Sequence, residues 1–222
     1  MNFRSILSPL AAVVSTTSLA TEAVSQDDIL KNLDASSTAN IKTQDRLKLQ
    51  GYLDMCNDNP IVCKVLANPI GISNPERSIL NKSNLAHIDD LNRKANKSIN
   101  PLSDMKNFGL AEKWQIAFRN GDCEDIAMYK YHELLKSGFD PKNMHFLVVQ
   151  DTSNSFHLVL AVRLSIGGKD KTIILDNLHD EIYTYSDMIA VKKYKLFGAS
   201  KIVETKQQQM LVFFKASDKQ KM

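Results

Sequence analysis

Between residues 85 and 99 the apolar positions Leu85, Ile88, Leu91, Ala95 and Ile99 recur three or four apart, and Pro101 follows. This spacing predicts an amphipathic helix that stops before the proline. A second stripe, Ile126, Ala127, Tyr131, Leu134 and Leu135, opens after Asp122 and is closed by Gly138. The period then changes. His145 to Val149, Phe156 to Val162 and Thr172 to Asn177 read as buried strands, and Ile166-Gly167-Gly168-Lys169 as the turn joining the last two. Further strands are expected at Tyr183 and Tyr185, over Lys201 to Val203 and over Met210 to Phe214. Short helical pieces are expected upstream, from Asp27 to Leu33, Asp45 to Leu53 and Ile61 to Leu66. The fold class is α+β, a helix packed on an antiparallel sheet behind a helical N-terminal half.

The second helix begins in Asn120-Gly121-Asp122-Cys123-Glu124-Asp125. Asp122 is placed as N-cap and Asp125 at the third helical position, a pair resembling a capping box. Cys123 then takes the first helical position, where free N–H groups and the helix dipole favour a thiolate; the three flanking carboxylates oppose it. A small buried cysteine in a well-capped helix fits this stretch equally well. The hairpin shifts the balance, because a catalytic thiol needs an imidazole to take its proton and a third group to orient that imidazole. Taken singly, His157 also reads as a satisfied polar residue at a strand start and Asp176 as turn chemistry. With Gly167 and Gly168 as the turn, His157 lies opposite Leu178 and Asp176 opposite Val159. His157 and Asp176 then share a face as diagonal neighbours. A turn one residue earlier at both ends makes them direct partners, and an odd loop or a bulge separates them.

With 222 residues, 43% hydrophobic and 24% charged, the chain has material for one core. The formal net charge of +3 is interspersed, so no polyanion partner is implied. Glycine-rich phosphate loops, paired Cys-x-x-Cys signatures and internal repeats are missing from the sequence, and nucleotide and nucleic-acid binding are set aside. Residues 1–23 read as a secretory signal: Arg4, an apolar run from Ile6 to Val14, then small-x-Ala patterns ending at Ala20 and Ala23. The other reading of this stretch is a Ser/Thr-rich tail on a cytosolic protein. Residues 24–222 form one expected domain, periplasmic or secreted and monomeric. Three cysteines leave one unpaired if Cys56 and Cys63 close a short disulfide across Asn57-Asp58-Asn59-Pro60; that one is Cys123. Two reduced cysteines would look the same.

The run from Trp114 to Asn177 resembles the bacterial transglutaminase-like cysteine peptidases, a branch of the papain-like superfamily. The resemblance is carried by Gly121-Asp122-Cys123-Glu124-Asp125, the helix with Lys130 and Gly138, Phe156-His157-Leu158-Val159-Leu160 and Leu175-Asp176-Asn177. Asp104, Gly109, Trp114, and Cys56 with Cys63, match more faintly. It implies a papain-like, transglutaminase-like core and a Cys123–His157–Asp176 triad. Well-known members are periplasmic proteases that clip the N-terminal region of large biofilm adhesins. They require calcium, bound by acidic residues around the cysteine, which here are Asp122, Glu124 and Asp125. An inner-membrane receptor sequesters those proteases; no motif here carries that membrane-bound regulator over. Val191 to Ala199 departs from the family's Tyr-rich final strand, which touches the cleft wall rather than the triad.

The expected reaction is acyl transfer through a thioester. Cys123 attacks a peptide carbonyl, His157 moves the proton, Asp176 orients His157, and the Cys123 N–H serves the oxyanion, with a second donor, from the Gln115 side chain or from the loop, left unassigned. Water as acceptor gives proteolysis and an amine gives transamidation. The alternative of another class is a non-catalytic peptide-binding module on the same fold.

Overall fold

The computed structural model describes residues 51–52, 54–59 and 73–200, and the backbone of 201–204 and 209–215. The expected signal peptide, the helical pieces 27–33 and 61–66, and Cys63 of the expected disulfide lie outside the described residues. Residues 51–52 and 54–58 are helical, so helix extends to Asp58, beyond the expected end near Leu53.

Strand β4, Phe156–Ile166, is the spine of the fold. Its residues from His157 to Val162 are all buried, so it reads as a continuous apolar run rather than an alternation. It sits inside a six-stranded sheet, with β3 (Met144–Gln150) on one side and β5 (Lys169–Asp176) on the other. β6 (His179–Thr184) flanks β5, and β7 (Lys195–Glu204) and then β8 (Gln209–Lys215) extend the sheet beyond β3. Every neighbouring pair is antiparallel. A separate two-residue parallel pair, β1 (Asn100–Pro101) and β2 (Asn120–Gly121), ties the start of the active-site helix to the preceding chain.

The two sheet faces are covered differently. On one, Leu158, Leu160, Val162, Ile173 and Leu175 meet Met128, Tyr131, Leu134 and Leu135 of α3 (Cys123–Lys136) and Ile88 of α1 (Lys82–Ser98). Trp114 is part of this core, edge-on to Tyr52 and Phe146, as its expected packing role requires. On the other face Val159, Ala161 and Ile174 pack with Tyr194 and with Met188 of α4 (Tyr185–Ala190). A five-residue helix, α2 (Asp104–Phe108), precedes the loop into β2 and is stopped by Gly109 at φ 71°.

Both predicted helices form where the stripes place them. Asn81 caps α1, its side chain accepting from the Asn84 N–H at 2.8 Å. At the end of α3, Gly138 has φ 88°, and the N–H groups of Gly138 and Phe139 return to the carbonyls of Leu135 and Leu134. This is a glycine-based C-cap that satisfies the last carbonyls.

The β4–β5 hairpin has the two-glycine turn and its register. Ile166 pairs with Lys169, and Gly167 and Gly168 have φ of 57° and 75°, a conformation that glycine adopts without strain. One expected strand position is corrected: Tyr185 opens helix α4. Thr184 and Asp187 form a true capping box there, which ends β6 at Thr184.

Candidate active site

Cys123 is the first residue of α3, partly buried against the helix-side core, and among the described residues it is the free cysteine. Its approach is set by Gly121. A Cβ at that position would stand 2.6 Å from the Asp125 Cβ and 3.1 Å from the Ala117 Cβ, so the loop passes close enough to the helix to exclude any side chain.

The expected capping box is not made. Asp122 is the N-cap by backbone conformation, yet its side chain makes no capping hydrogen bond. Its Oδ2 instead accepts the Asp104 N–H at 3.2 Å. Asp125 also turns away from the helix end, accepting from the Gln115 N–H at 2.9 Å and from Gln115 Nε2 at 3.2 Å. The Gln115 side chain, considered above as an oxyanion donor, is thus engaged with Asp125 through one of its two amide N–H groups. Tertiary donors have outcompeted the helix's own N–H groups.

A different acidic group results. Carboxylate oxygens of Asp104, Asp122 and Glu124 lie within 4.8 Å of one another, while Asp125 is held by Gln115. Lys113 N–H donates to Asp104, and Cys123 Sγ donates to Glu124 Oε2 at 2.9 Å. Asp122 Oδ1 is buried with no hydrogen-bond partner. Burial first, then the Glu124, Asp104 and Asp125 carboxylates, push Asp122 up to about 8. Burial likewise pushes Asp125 up to about 7 against the lowering effect of its Gln115 hydrogen bonds. Crowded oxygens that resist ionisation, one of them unsatisfied, fit a hard cation bound through oxygen.

The second group of side chains is built on the hairpin. His157, 6% exposed, and Asp176, 0% exposed, meet with Nε2 2.7 Å from Oδ1. By strand alternation both lie on the sheet face of Val159 and Ile174. The Asp176 carboxylate is saturated: Oδ1 also accepts the Leu178 N–H at 2.8 Å, and Oδ2 accepts the hydroxyls of Tyr183 at 2.7 Å and Tyr194 at 3.2 Å. Burial would raise this carboxyl. The hydrogen bond and charge of His157, with the Leu178 and Tyr183 donors, outweigh burial and hold it well below the usual carboxylate range. Asp176 is therefore an anion that binds the imidazole through Nε2, and Nδ1 is the ring nitrogen open to proton exchange.

The structure thus joins His157 to Asp176 and Cys123 to Glu124, and it adds Asp104, Tyr183 and Tyr194, which sequence reasoning did not assign. His179 adds a more distant neighbour, Nε2 lying 4.0 Å from Asp176 Oδ2. Tyr183 had a legible signal, a tyrosine in the strand after the turn. Asp104 carried only a faint family match and Tyr194 no signal, because their roles depend on contacts between distant parts of the chain.

Residues 43–195 match the bacterial transglutaminase-like cysteine proteinase family. No curated protein matches the chain. Among solved structures it is similar to calcium-bound LapG of Legionella pneumophila, at 18% identity and a TM-score of 0.44 over 84% of this chain and 87% of that one. The EGTA-treated form of that protein aligns at 17% identity and a TM-score of 0.43 over 82% and 94%. With more than half its length matched, this chain belongs to the bacterial transglutaminase-like cysteine proteinases and is a cysteine peptidase.

Proposed function

We propose that the protein is an exported, calcium-dependent protease that cleaves a peptide bond of a surface adhesin through Cys123, His157 and Asp176. The observation that carries this reading is the buried 2.7 Å contact of His157 with an anionic Asp176, in a cysteine peptidase whose free thiol opens a helix. The adhesin and the export follow from the family resemblance and from the signal pattern in residues 1–23.

In this mechanism His157 Nδ1 takes the thiol proton, and Cys123 Sγ attacks the scissile carbonyl carbon. The developing oxyanion meets the Cys123 N–H at the helix start. The imidazolium gives its proton to the leaving amine as the C–N bond breaks, which leaves a thioester. His157 then takes a proton from water as the hydroxide adds to the thioester, and the acid departs with the thiolate restored. Asp176 keeps the ring in one orientation throughout, and its charge stabilises the imidazolium. Calcium, held by Asp104, Asp122 and Glu124, would supply positive charge that offsets the acidic field around the thiolate.

The test is incubation of the full chain with the N-terminal region of a large surface adhesin from the same cells. Calcium-dependent cleavage that disappears in Cys123→Ala is expected. Cleavage that survives Cys123→Ala would remove the thiol from the reaction.

A further inference from the structure

Lys130 sits two turns into α3 and is 1% exposed, a burial that lysine seldom adopts. Its Nζ donates to Asn92 Oδ1 at 2.7 Å. Asn92, 0% exposed, comes from α1 and shares the face of Ile88 and Ala95. Its amide nitrogen donates to the carbonyl oxygens of His179 at 2.9 Å and Asp180 at 2.8 Å. One turn along α1, Asn96 Nδ2 donates to the carbonyls of Asp176 and His179, both at 2.9 Å. These carbonyls flank the turn between β5 and β6, at the strand ends that present Asp176 to His157.

The chemistry of the link is directional. An ammonium group has donors and no acceptor, so it engages the oxygen of Asn92 and fixes which end of the amide faces the turn. With an apolar residue at position 130 the Asn92 oxygen would be left buried without its donor, a cost that falls on the same amide that holds the two carbonyls. The ammonium is also in the field of the catalytic carboxylate: burial pushes Lys130 down to about 7, and Asp176 and Asp180 pull it back up. Packing alone does not call for a lysine here, since an apolar side chain of similar volume fills a buried site at no comparable desolvation cost.

We infer that Lys130 and Asn92 are positioning residues for the catalytic carboxylate, forming a buried link through which the helix that carries Cys123 holds the turn that carries Asp176. The inference rests on the Cys123–His157–Asp176 reading. Cys123 and Lys130 ride on one rigid helix, so the link sets the nucleophile and the His157–Asp176 pair in register.

The test compares Lys130→Met, Asn92→Ala and their double variant with Asp176→Ala, in the full chain with calcium present. Three quantities are read: kcat and KM on a peptide substrate, the downfield proton resonance of the His157 N–H bound to Asp176, and Tm. The single variants are expected to lose kcat on the order of 10- to 100-fold with KM little changed, as small misplacements of reacting groups do. Their downfield resonance should move or broaden at temperatures well below Tm, and the double variant should be no worse than the poorer single. A lowered Tm with kcat and the resonance unchanged would overturn the inference, as would losses that add in the double variant. If Lys130→Met does not fold, Asn96→Ala, at a half-buried site gripping the same turn, decides instead: an unchanged kcat and resonance there overturns the inference. Wild-type kcat in Asp176→Ala would sink the triad reading itself, whereas its loss there alongside intact Lys130 and Asn92 variants would sink the positioning link alone.

Discussion

The Nε2 of His157 lies 2.7 Å from Oδ1 of Asp176, a carboxylate that also receives two tyrosine hydroxyls and a backbone N–H. Four donors on one buried side chain leave little freedom for the carboxylate to rotate, and the imidazole it holds is correspondingly fixed. Replacing Asp176 with Asn keeps the shape and removes the charge. The expected loss in kcat is large, about 10⁴-fold where the orienting carboxylate of a Ser-His-Asp triad is replaced in this way. Steady-state kinetics on a peptide substrate checks it, and a loss under threefold would show that Asp176 is structural.

Tyr183→Phe removes one donor to Asp176 Oδ2 and nothing else from that contact. Hydrogen bonds to a charged group contribute about 1.5–3 kcal/mol, so a fall in stability of that order is expected by denaturant titration. Burial and the Asp176 charge hold the Tyr183 hydroxyl above its ordinary value, so it stays a donor across the working pH range. Unchanged stability in Tyr183→Phe would argue that Tyr194 satisfies Oδ2 alone.

The acidic group makes stability depend on pH and calcium together. Asp122 is pushed from 3.8 up to about 8 in the folded chain without metal. Between these values the folded state binds more protons than the unfolded one, so stability without calcium falls as pH rises through this window. Calcium needs the ionised carboxylates and displaces the proton. The rise in Tm on adding calcium should therefore grow from pH 5 to pH 8 and then level off, and it should shrink in Asp122→Asn. A calcium increment that is flat with pH, or intact in Asp122→Asn, contradicts the assignment.

Gly121→Ala tests the close passage of the loop over α3. The new methyl carbon would overlap Asp125 Cβ at 2.6 Å, and overpacking of this kind costs about 1–3 kcal/mol. Thermal unfolding should show the loss, together with slower alkylation of Cys123 as the helix start is displaced. A stability equal to that of the wild type would mean that the loop relaxes freely.

Much of this was legible in the residues themselves. The glycine pair at 167 and 168 admits the tight turn, and the turn sets the register that makes His157 and Asp176 neighbours; local chemistry decides the outcome there. The stripes of α1 and α3 were legible for the same reason, since burial of one helix face depends on spacing alone. The roles of the carboxylates were not. Asp122 and Asp125 had the residue types of a capping box, but the N–H groups of Asp104 and Gln115 reach them in the folded chain and take precedence. Asp104 joins the acidic group from 18 positions upstream of Asp122. Lys130 and Asn92 occupy helix faces where spacing predicts core, and their pairing depends on how α1 crosses α3. Tyr185 is a different matter: Thr184-x-x-Asp187 was a readable helix start, overridden by the alternation of Tyr183 and Tyr185.

The central claim is that Cys123 and His157 act as one unit, and the rate of Cys123 alkylation by iodoacetamide against pH tests it most directly. It is measured with calcium and with chelator, in the wild type and in His157→Ala. The account predicts a thiolate that titrates well below the free-cysteine value of about 8.5, reverts towards it in His157→Ala, and reacts at a calcium-dependent rate. A thiol that is unreactive, or that titrates like free cysteine whether or not His157 is present, would contradict it.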